Sequence, residues 1–265
     1  VKGETMSKIV FFDIDGTLFY SGIGIPESAK EGLKRLFANG HKAVMCTGRS
    51  KGMMPEDYFH MGFHGMILGA GAYVEYEGEV IHQELMSSQE VRTVIDWGRE
   101  QGIGIILEGN KSGYYDSANH DDYYVEMVRR TQRDCETELR PLEEAYDIEK
   151  WTYHHLDPKK KYKIEEMLGG GYIGTYHEPA NSVEFLPKGV HKAKGIERIL
   201  KHTGINQKDT YAFGDSANDI DMIRYVRYGI AMGNAVPELL EAADYVTGRA
   251  DQDGIARGLE RFGLI

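Results

Sequence analysis

Short apolar runs recur along the chain with no polar residue inside them. Ile9–Phe12, Ala43–Cys46, Met66–Leu68, Tyr211–Phe213 and Gly229–Met232 all read this way. Strands covered on both faces have this pattern, whereas half-exposed strands alternate. Between the first two runs lies PESAKEGLKRLFANG, whose Ala29, Leu33, Leu36 and Phe37 fall on one helical face, with Gly40 at the expected stop. Lys192–His202 carries Ile196, Ile199 and Leu200 in the same manner, and Gly204 follows. Strand, helix and strand in this order predict right-handed crossovers and an α/β fold, a doubly wound, Rossmann-like parallel sheet.

The middle of the chain breaks the rhythm. From about Gln83 to Leu186 the helical stretches are longer and more polar, aromatics are scattered (GYYDSANHDDYY), and strand-like pieces such as Ile103–Leu107 and Val183–Leu186 stand apart. This predicts an α+β domain inserted into the core, with linkers near Leu85–Ser88 and Pro187–Gly189. The expected division is 1–84 with 188–265 for the core and 85–187 for the insert. No internal repeat or low-complexity tract is evident.

Composition narrows the function. The 265 residues suffice for a core domain and a smaller second one, and 41% hydrophobic with 28% charged residues is an ordinary globular balance. A net charge of −11 argues against nucleic acid or an anionic membrane as main partner, yet allows a small anionic ligand held by a local positive site. Cys46 and Cys135 form no disulfide framework or zinc pattern, and Cys46 reads as a small buried hydrophobe, so a reducing cytoplasm is expected. No apolar run approaches the ~20 residues that span a bilayer. The opening VKGETMSKIV has no apolar stretch of the signal-peptide kind. Met6 is read as the natural start, with residues 1–5 an expression remnant or an upstream extension.

The chemistry lies where the apolar runs end. The first ends in Asp13-Ile14-Asp15-Gly16-Thr17, the second in Thr47-Gly48-Arg49, and the run at 211–213 in Gly214-Asp215-Ser216-Ala217-Asn218-Asp219. Ligands of open α/β sheets bind outside the carboxyl ends of the strands. Any one of these segments reads as a helix cap or turn. Three together, two of them acidic and facing one rim, point to a site. Asp13, Asp15 and Asp215 offer oxygen only, which suits Mg²⁺ with water and phosphate as further ligands. Asp13, fixed at a strand end, can attack phosphorus to form an aspartyl-phosphate. Asp15, two residues on, can protonate the leaving oxygen and then deprotonate the attacking water, touching the metal through its backbone carbonyl rather than its side chain. Thr47 offers a hydroxyl and Gly48 an open backbone N–H to a phosphate oxygen. Thr17 reads as a turn residue. Lys192, opening a helix against its dipole, reads from composition as a solvated lysine beside Lys188 and Lys194.

The segments DIDGTL, TGR, KGVHKAKGI and GDSANDIDMI resemble, in order and spacing, the four motifs of the haloacid dehalogenase-like (HAD) hydrolase superfamily. The tail GIAMGNAVPELLEAADYVTGRADQDGIARGLERF resembles the end of the Cof-type branch, whose larger α/β cap is called C2. The resemblance covers nearly all of 6–265, strongly at the motifs and weakly in the insert. It implies a phosphatase of small phosphorylated metabolites, sugar phosphates foremost, whose cap chooses the substrate. It implies Asp13 as nucleophile and Mg²⁺ ligand, Asp15 as general acid/base, and Asp215 as Mg²⁺ ligand with Asp219 in support. The backbone of Ile14, Thr47, Gly48, Lys192 and Asn218 would hold the phosphoryl group, which reverses the composition reading of Lys192. Ala193 stands where the family usually has glycine, and so does Ser216; both are small replacements.

Other signals are weaker. GGGYIG at 169–174 fits a dinucleotide pattern, but a helical stretch precedes it where a strand is required, so it reads as a flexible turn. His154-His155 reads as a surface pair, NHDDYY as a solvated turn leading into a helix, and Trp97 and Trp151 as packing residues. A phosphomutase on sugar phosphates and a non-catalytic phosphometabolite-binding regulator are the competing functions. An acid/base at Asp15 speaks against the regulator, since binding alone does not need one. A monomer or a homodimer is equally compatible with the sequence.

Overall fold

The computed structural model describes residues 7–265, so the expected start at Met6 lies outside them. Five strands precede the insertion: β1 (Ile9–Phe12), β2 (Lys42–Cys46), β3 (Gly65–Leu68), β4 (Tyr73–Tyr76) and β5 (Glu79–Gln83). Six lie within it: β6 (Gly104–Gly109), β7 (Gly113–Tyr115), β8 (Arg140–Pro141), β9 (Ile148–His154), β10 (Tyr172–His177) and β11 (Ser182–Pro187). Three follow: β12 (Thr210–Gly214), β13 (Tyr228–Ala231) and β14 (Tyr245–Val246). The helices are α1 (Glu27–Ala38), α2 (Ser88–Gln101), α3 (Asp122–Cys135), α4 (Lys161–Met167), α5 (Lys192–Thr203), α6 (Ile220–Tyr225), α7 (Pro237–Ala242) and α8 (Gly254–Arg261). No helix of the described residues is long and apolar enough to cross a membrane.

The chain divides into two compact units. One comprises the described residues up to 48 together with 62–82 and 191–265; the other comprises 49–61 and 83–190. Residues 49–61, expected within the core, pack with the inserted unit. There is no room for a side chain at Gly52, where a Cβ would stand 2.2 Å from the Ser112 nitrogen. Met53 joins Ile106, Tyr124, Met127, Val128 and Leu139 in one apolar cluster.

The core unit holds an eight-stranded sheet in the order β14-β13-β12-β1-β2-β3-β4-β5. From β14 to β3 every pairing is parallel. Beyond β3 the antiparallel β4 and its neighbour β5 extend the sheet. The predicted runs are strands within a residue or two at either end, and the predicted helices form as α1 and α5. Ala29, Leu33 and Leu36 are buried on α1, and Ile196, Ile199 and Leu200 on α5. Strand order runs outward from β1 in both directions. The sequence goes β1-β2-β3 to one side and later β12-β13-β14 to the other, so the switch point of the sheet lies between β1 and β12.

The inserted unit is a six-stranded sheet in the order β10-β11-β9-β6-β7-β8, antiparallel except for β7 and β8. Trp97 and Trp151 are buried there; Trp151 stacks on Phe185 at 4.7 Å between ring centroids. Asp121 caps α3 through its carboxylate on the Tyr124 N–H, as a turn leading into a helix should. Two readings need correction. Only residues 169 and 170 of GGGYIG lie in a turn; from Tyr172 on the segment is β10, paired to β11. His154 is not a surface residue like His155: it ends β9 half-buried, and burial holds its imidazole well below the usual range, at about 4.

Candidate active site

The carboxyl ends of β1 and β12 meet at the switch point. Their last residues are in register, Phe12 beside Phe213, and the two rings stack at 5.1 Å. The next amide, Asp13 N–H, donates to the Phe213 carbonyl at 3.0 Å, which sets the Asp13 backbone beside the β12 loop. Chain reversal follows at Gly16, whose φ of +87° favours glycine. Space demands glycine there too, because a Cβ would stand 2.2 Å from Asp215 Oδ2. The turn and the Asp215 carboxylate therefore occupy one tight corner.

Carboxylate oxygens of Asp13, Asp215 and Asp219 lie within 4.8 Å of one another. Lys192, at the start of α5 and fully buried, donates to Asp13 Oδ1 at 2.5 Å and Asp219 Oδ1 at 2.6 Å. The composition reading of a solvated lysine is thus replaced by a buried bridging one. The other oxygen of Asp219 accepts from the Asp215 and Ser216 N–H groups, both at 3.0 Å. Asp219 is consequently consumed in shaping its own loop and in holding Lys192. Thr17, read from sequence as a turn residue, is buried and donates to Asp215 Oδ1 at 2.8 Å.

Three carboxylates against one ammonium leave an excess of negative charge in a partly dry corner. Burial, then the charge of Asp219, holds Asp13 well above the usual carboxyl range, with Lys192 opposing. Burial lifts Asp215 to about 6, against the hydrogen bond from Thr17. Lys192 is held above the usual lysine range: burial works to lower it, and the charges of Asp13 and Asp219 prevail. A buried excess of carboxylate charge with hard oxygen donors fits a divalent cation of the Mg²⁺ kind.

The remaining predicted residues line the same strand ends. Ile14 is buried, and its carbonyl accepts from the Thr17 and Phe19 N–H groups. Asp15 is exposed in the turn, its backbone bridged to Phe19. Thr47 follows β2 and is buried, with its N–H on the Ile67 carbonyl and its carbonyl on the Ala70 N–H. Gly48 lies next to Asn218, whose Nδ2 is 3.6 Å from where a Gly48 Cβ would be. Asn218 Oδ1 accepts from the Ser216 hydroxyl at 2.7 Å. The small residues at the two departures serve well: Ala193 is buried behind Lys192, and Ser216 caps the turn at 217–219.

Sequence reasoning missed Asn234. Its Nδ2 donates to the Gly16 carbonyl at 2.8 Å and its Oδ1 accepts from Ala250 N–H at 2.9 Å, which braces the Gly16 turn from the far end of the chain. The tail motif GIAMGNAVPE contained the signal, an Asn after Gly just past a strand end, but nothing local told its partner.

Residues 10–259 match the model of the haloacid dehalogenase-like hydrolase family. A Bacillus subtilis (strain 168) protein named "Putative phosphatase YkrA" is 32% identical over 260 residues, spanning 98% of this chain and 99% of that one. The HMP-PP phosphatase of Yersinia pestis (strain Pestoides F) is 26% identical, spanning 97% and 96%. Among solved structures, a hypothetical protein from Geobacillus kaustophilus HTA426 superposes with a TM-score of 0.84 at 29% identity, over 98% of this chain and 100% of that one. The HAD subclass IIB sugar phosphatase BT4131 does so with 0.80 at 28% identity, over 98% and 100%. With the motifs gathered at one switch point and the match running almost end to end, the chain belongs to the haloacid dehalogenase-like hydrolases, in the Cof-type branch with a C2 cap.

Proposed function

We propose that this protein is a Mg²⁺-dependent phosphatase of small phosphomonoesters that works through an aspartyl-phosphate on Asp13. The observation that carries this reading is the buried Asp13–Lys192–Asp219 bridge beside Asp215, at the switch point of the sheet. A carboxylate held by a lysine at a strand end is oriented, desolvated and unable to turn away. Asp13 and Asp215, with the Asp15 backbone carbonyl, would hold Mg²⁺, which when bound supplies positive charge against the phosphoryl oxygens.

An Asp13 oxygen bonds to phosphorus as the bond to the ester oxygen breaks, and the protonated Asp15 gives its proton to that departing oxygen. Water then attacks the acyl phosphate while Asp15 takes its proton back. The Asp13–phosphorus bond breaks, and inorganic phosphate and a free alcohol leave. Asp15 suits this exchange because it is exposed in the turn, where it can reach both solvent and a leaving group. Thr47, Gly48, Asn218 and the Ile14 backbone would hold the phosphoryl oxygens, and Asp219 keeps Lys192 in line. The inserted unit would close over the site, exclude water during the first step and select the alcohol. Sugar phosphates are the favoured substrates, in keeping with the sugar phosphatase BT4131 among the structural relatives.

A phosphate-release screen over sugar phosphates, nucleotides and cofactor phosphates tests this, with Mg²⁺ and with EDTA. Release that needs Mg²⁺ is expected. An isomeric sugar phosphate as product, or phosphate binding with no release across the panel, would overturn the reading.

A further inference from the structure

Residues 232–236, between β13 and α7, hold on to three other stretches of the core unit. Met232 N–H donates to the Gly214 carbonyl and Val236 N–H to the Asp215 carbonyl, both at 2.9 Å, so this loop runs along the end of β12. Gly233 N–H donates to the Gly248 carbonyl at 3.0 Å, and Ala250 N–H to Asn234 Oδ1 at 2.9 Å, which fastens the loop to the segment after β14. Asn234 Nδ2 then reaches the Gly16 carbonyl at 2.8 Å. An amide side chain donates at one end and accepts at the other without carrying charge, and Asn234 uses both ends.

What Asn234 holds is the softest point of the acidic turn. Gly16, at a φ of +87° and with no side chain, is the residue of this turn whose flanking peptides swing most readily. The peptide before it carries the Asp15 carbonyl, and its Gly16 N–H donates to the Phe19 carbonyl at 2.8 Å. In a trans peptide the C=O points opposite to the N–H, so that bond aims the Asp15 carbonyl. The peptide after Gly16 carries the carbonyl that Asn234 holds. Gly16 is thus pinned on both sides, by Phe19 from within the turn and by Asn234 from outside it. Two residues beyond Asn234, Val236 holds the Asp215 backbone. One short piece of chain therefore fixes both the Asp15–Gly16 turn and the loop that carries Asp215.

We propose that Asn234 is a positioning residue for the divalent cation, keeping the Asp15 carbonyl in a fixed place relative to Asp215. The inference rests on that part of the reading above in which Asp13, Asp215 and the Asp15 carbonyl hold Mg²⁺. An ion that demands near-ideal octahedral geometry is bound less tightly when one of its oxygen donors is free to swing. Asn234 stands 218 residues from Gly16 and outside the four motifs, and it acts on the cation only through the turn.

The test uses the full-length protein and three measurements: Mg²⁺ binding without substrate by calorimetry, the rise in unfolding midpoint on adding Mg²⁺, and the Mg²⁺ dependence of phosphate release. Asn234→Ala should bind Mg²⁺ about fivefold more weakly, as the loss of one hydrogen bond to the turn allows, with a smaller midpoint rise at subsaturating Mg²⁺. Its phosphate release should need correspondingly more Mg²⁺ and recover most of its rate at saturation, which a merely structural defect would not show. Asn234→Leu fills similar space but can neither donate nor accept, and it should behave as Asn234→Ala does. Asn39→Ala is the control, because it also removes an Asn-to-carbonyl bond, to Leu264 at 3.0 Å, but at the amino end of β2. Any midpoint it loses should leave Mg²⁺ affinity as it is. Wild-type Mg²⁺ affinity in either folded Asn234 variant overturns the proposal, as does equal weakening by Asn39→Ala. A wild-type protein that binds Mg²⁺ yet releases no phosphate from any ester overturns the phosphatase reading alone. One that binds no Mg²⁺ overturns both.

Discussion

Each unit of the protein buries a lysine between two carboxylates, and the two arrangements differ in what they leave over. In the core, Lys192 bridges Asp13 and Asp219 at the ends of two strands, and Asp215 stands by with its charge unmatched. In the inserted unit, Lys150 on β9 bridges Glu108 on β6 and Glu184 on β11, so the triad runs across three neighbouring strands. There Glu184 is drawn down to about 2: burial opposes its charge, and Lys150 with His177 outweighs burial. Charge at the strand ends is in excess, with three carboxylates gathered around one lysine. Inside the second sheet Lys150 and its two carboxylates lie on three neighbouring strands and lock them to one another. A lysine between two carboxylates thus makes an acidic corner in one place and a fastening in the other, according to whether it lies beyond the sheet or within it.

Removing the two lysines separates these roles. Lys192→Met should reduce phosphate release to background and lower stability by about 3–5 kcal/mol, because two buried carboxylates lose their partner. Activity assays and denaturant unfolding check both. Asp15→Asn should leave the fold intact and slow turnover by about 10²–10⁴-fold, more for alkyl than for aryl phosphates, since an activated leaving group needs little protonation. Equal slowing of the two ester classes would remove Asp15 from the acid/base role. Lys150→Met should cost roughly 2–3 kcal/mol, less than at Lys192 because Glu184 is partly exposed and can regain water. It should retain measurable turnover. If Lys150→Met is as dead as Lys192→Met, the contrast between acidic corner and fastening is void.

The smallest effect is one of pH. Glu149 lies beside the Lys150 triad and is fully buried. Burial first, and the charge of Glu108 next, raise it from 4.5 to about 8. Its folded pKa lies above its unfolded one, so the folded state holds the proton more tightly between those values. Stability from this group is complete below pH 4.5 and is lost as pH rises through 8, with a slope of at most about 1.4 kcal/mol per pH unit. Glu149→Gln should flatten that fall in unfolding free energy measured from pH 5 to 8. An unchanged slope would place the titration elsewhere.

The sequence was most legible where a strand stops. The runs at 9–12, 43–46 and 211–213 are unbroken apolar stretches followed at once by Asp, Thr or Gly, so both the element and its chemistry could be read from one window. Lys192 was not legible from composition, because its burial is created by Asp13 and Asp219, which are 179 and 27 residues away. The roles of Thr17 and Asn234 escaped for the same reason. The hairpin of β4 and β5 was also missed: YVEY interrupts its apolar residues with a glutamate, and its turn depends on positive φ at Glu77 and Gly78. In the inserted unit β9 was hidden by its own function. IEKWTYH carries two charges in a central strand, and such a strand looks exposed until the partners of Lys150 on either side are known.

The position of β1 has a consequence for how the protein is made. Its two neighbours are β2, about thirty residues later, and β12, about two hundred residues later. During synthesis from the amino end, the whole inserted unit emerges before the strand that carries Asp215. Until then β1 is an edge, open to pairing with another chain, and Asp13 lacks the companion acids Asp215 and Asp219. A ribosome that stalls before residue 210 would therefore release a sticky and inert fragment, and reactivity would arrive abruptly, with the last quarter of the polypeptide.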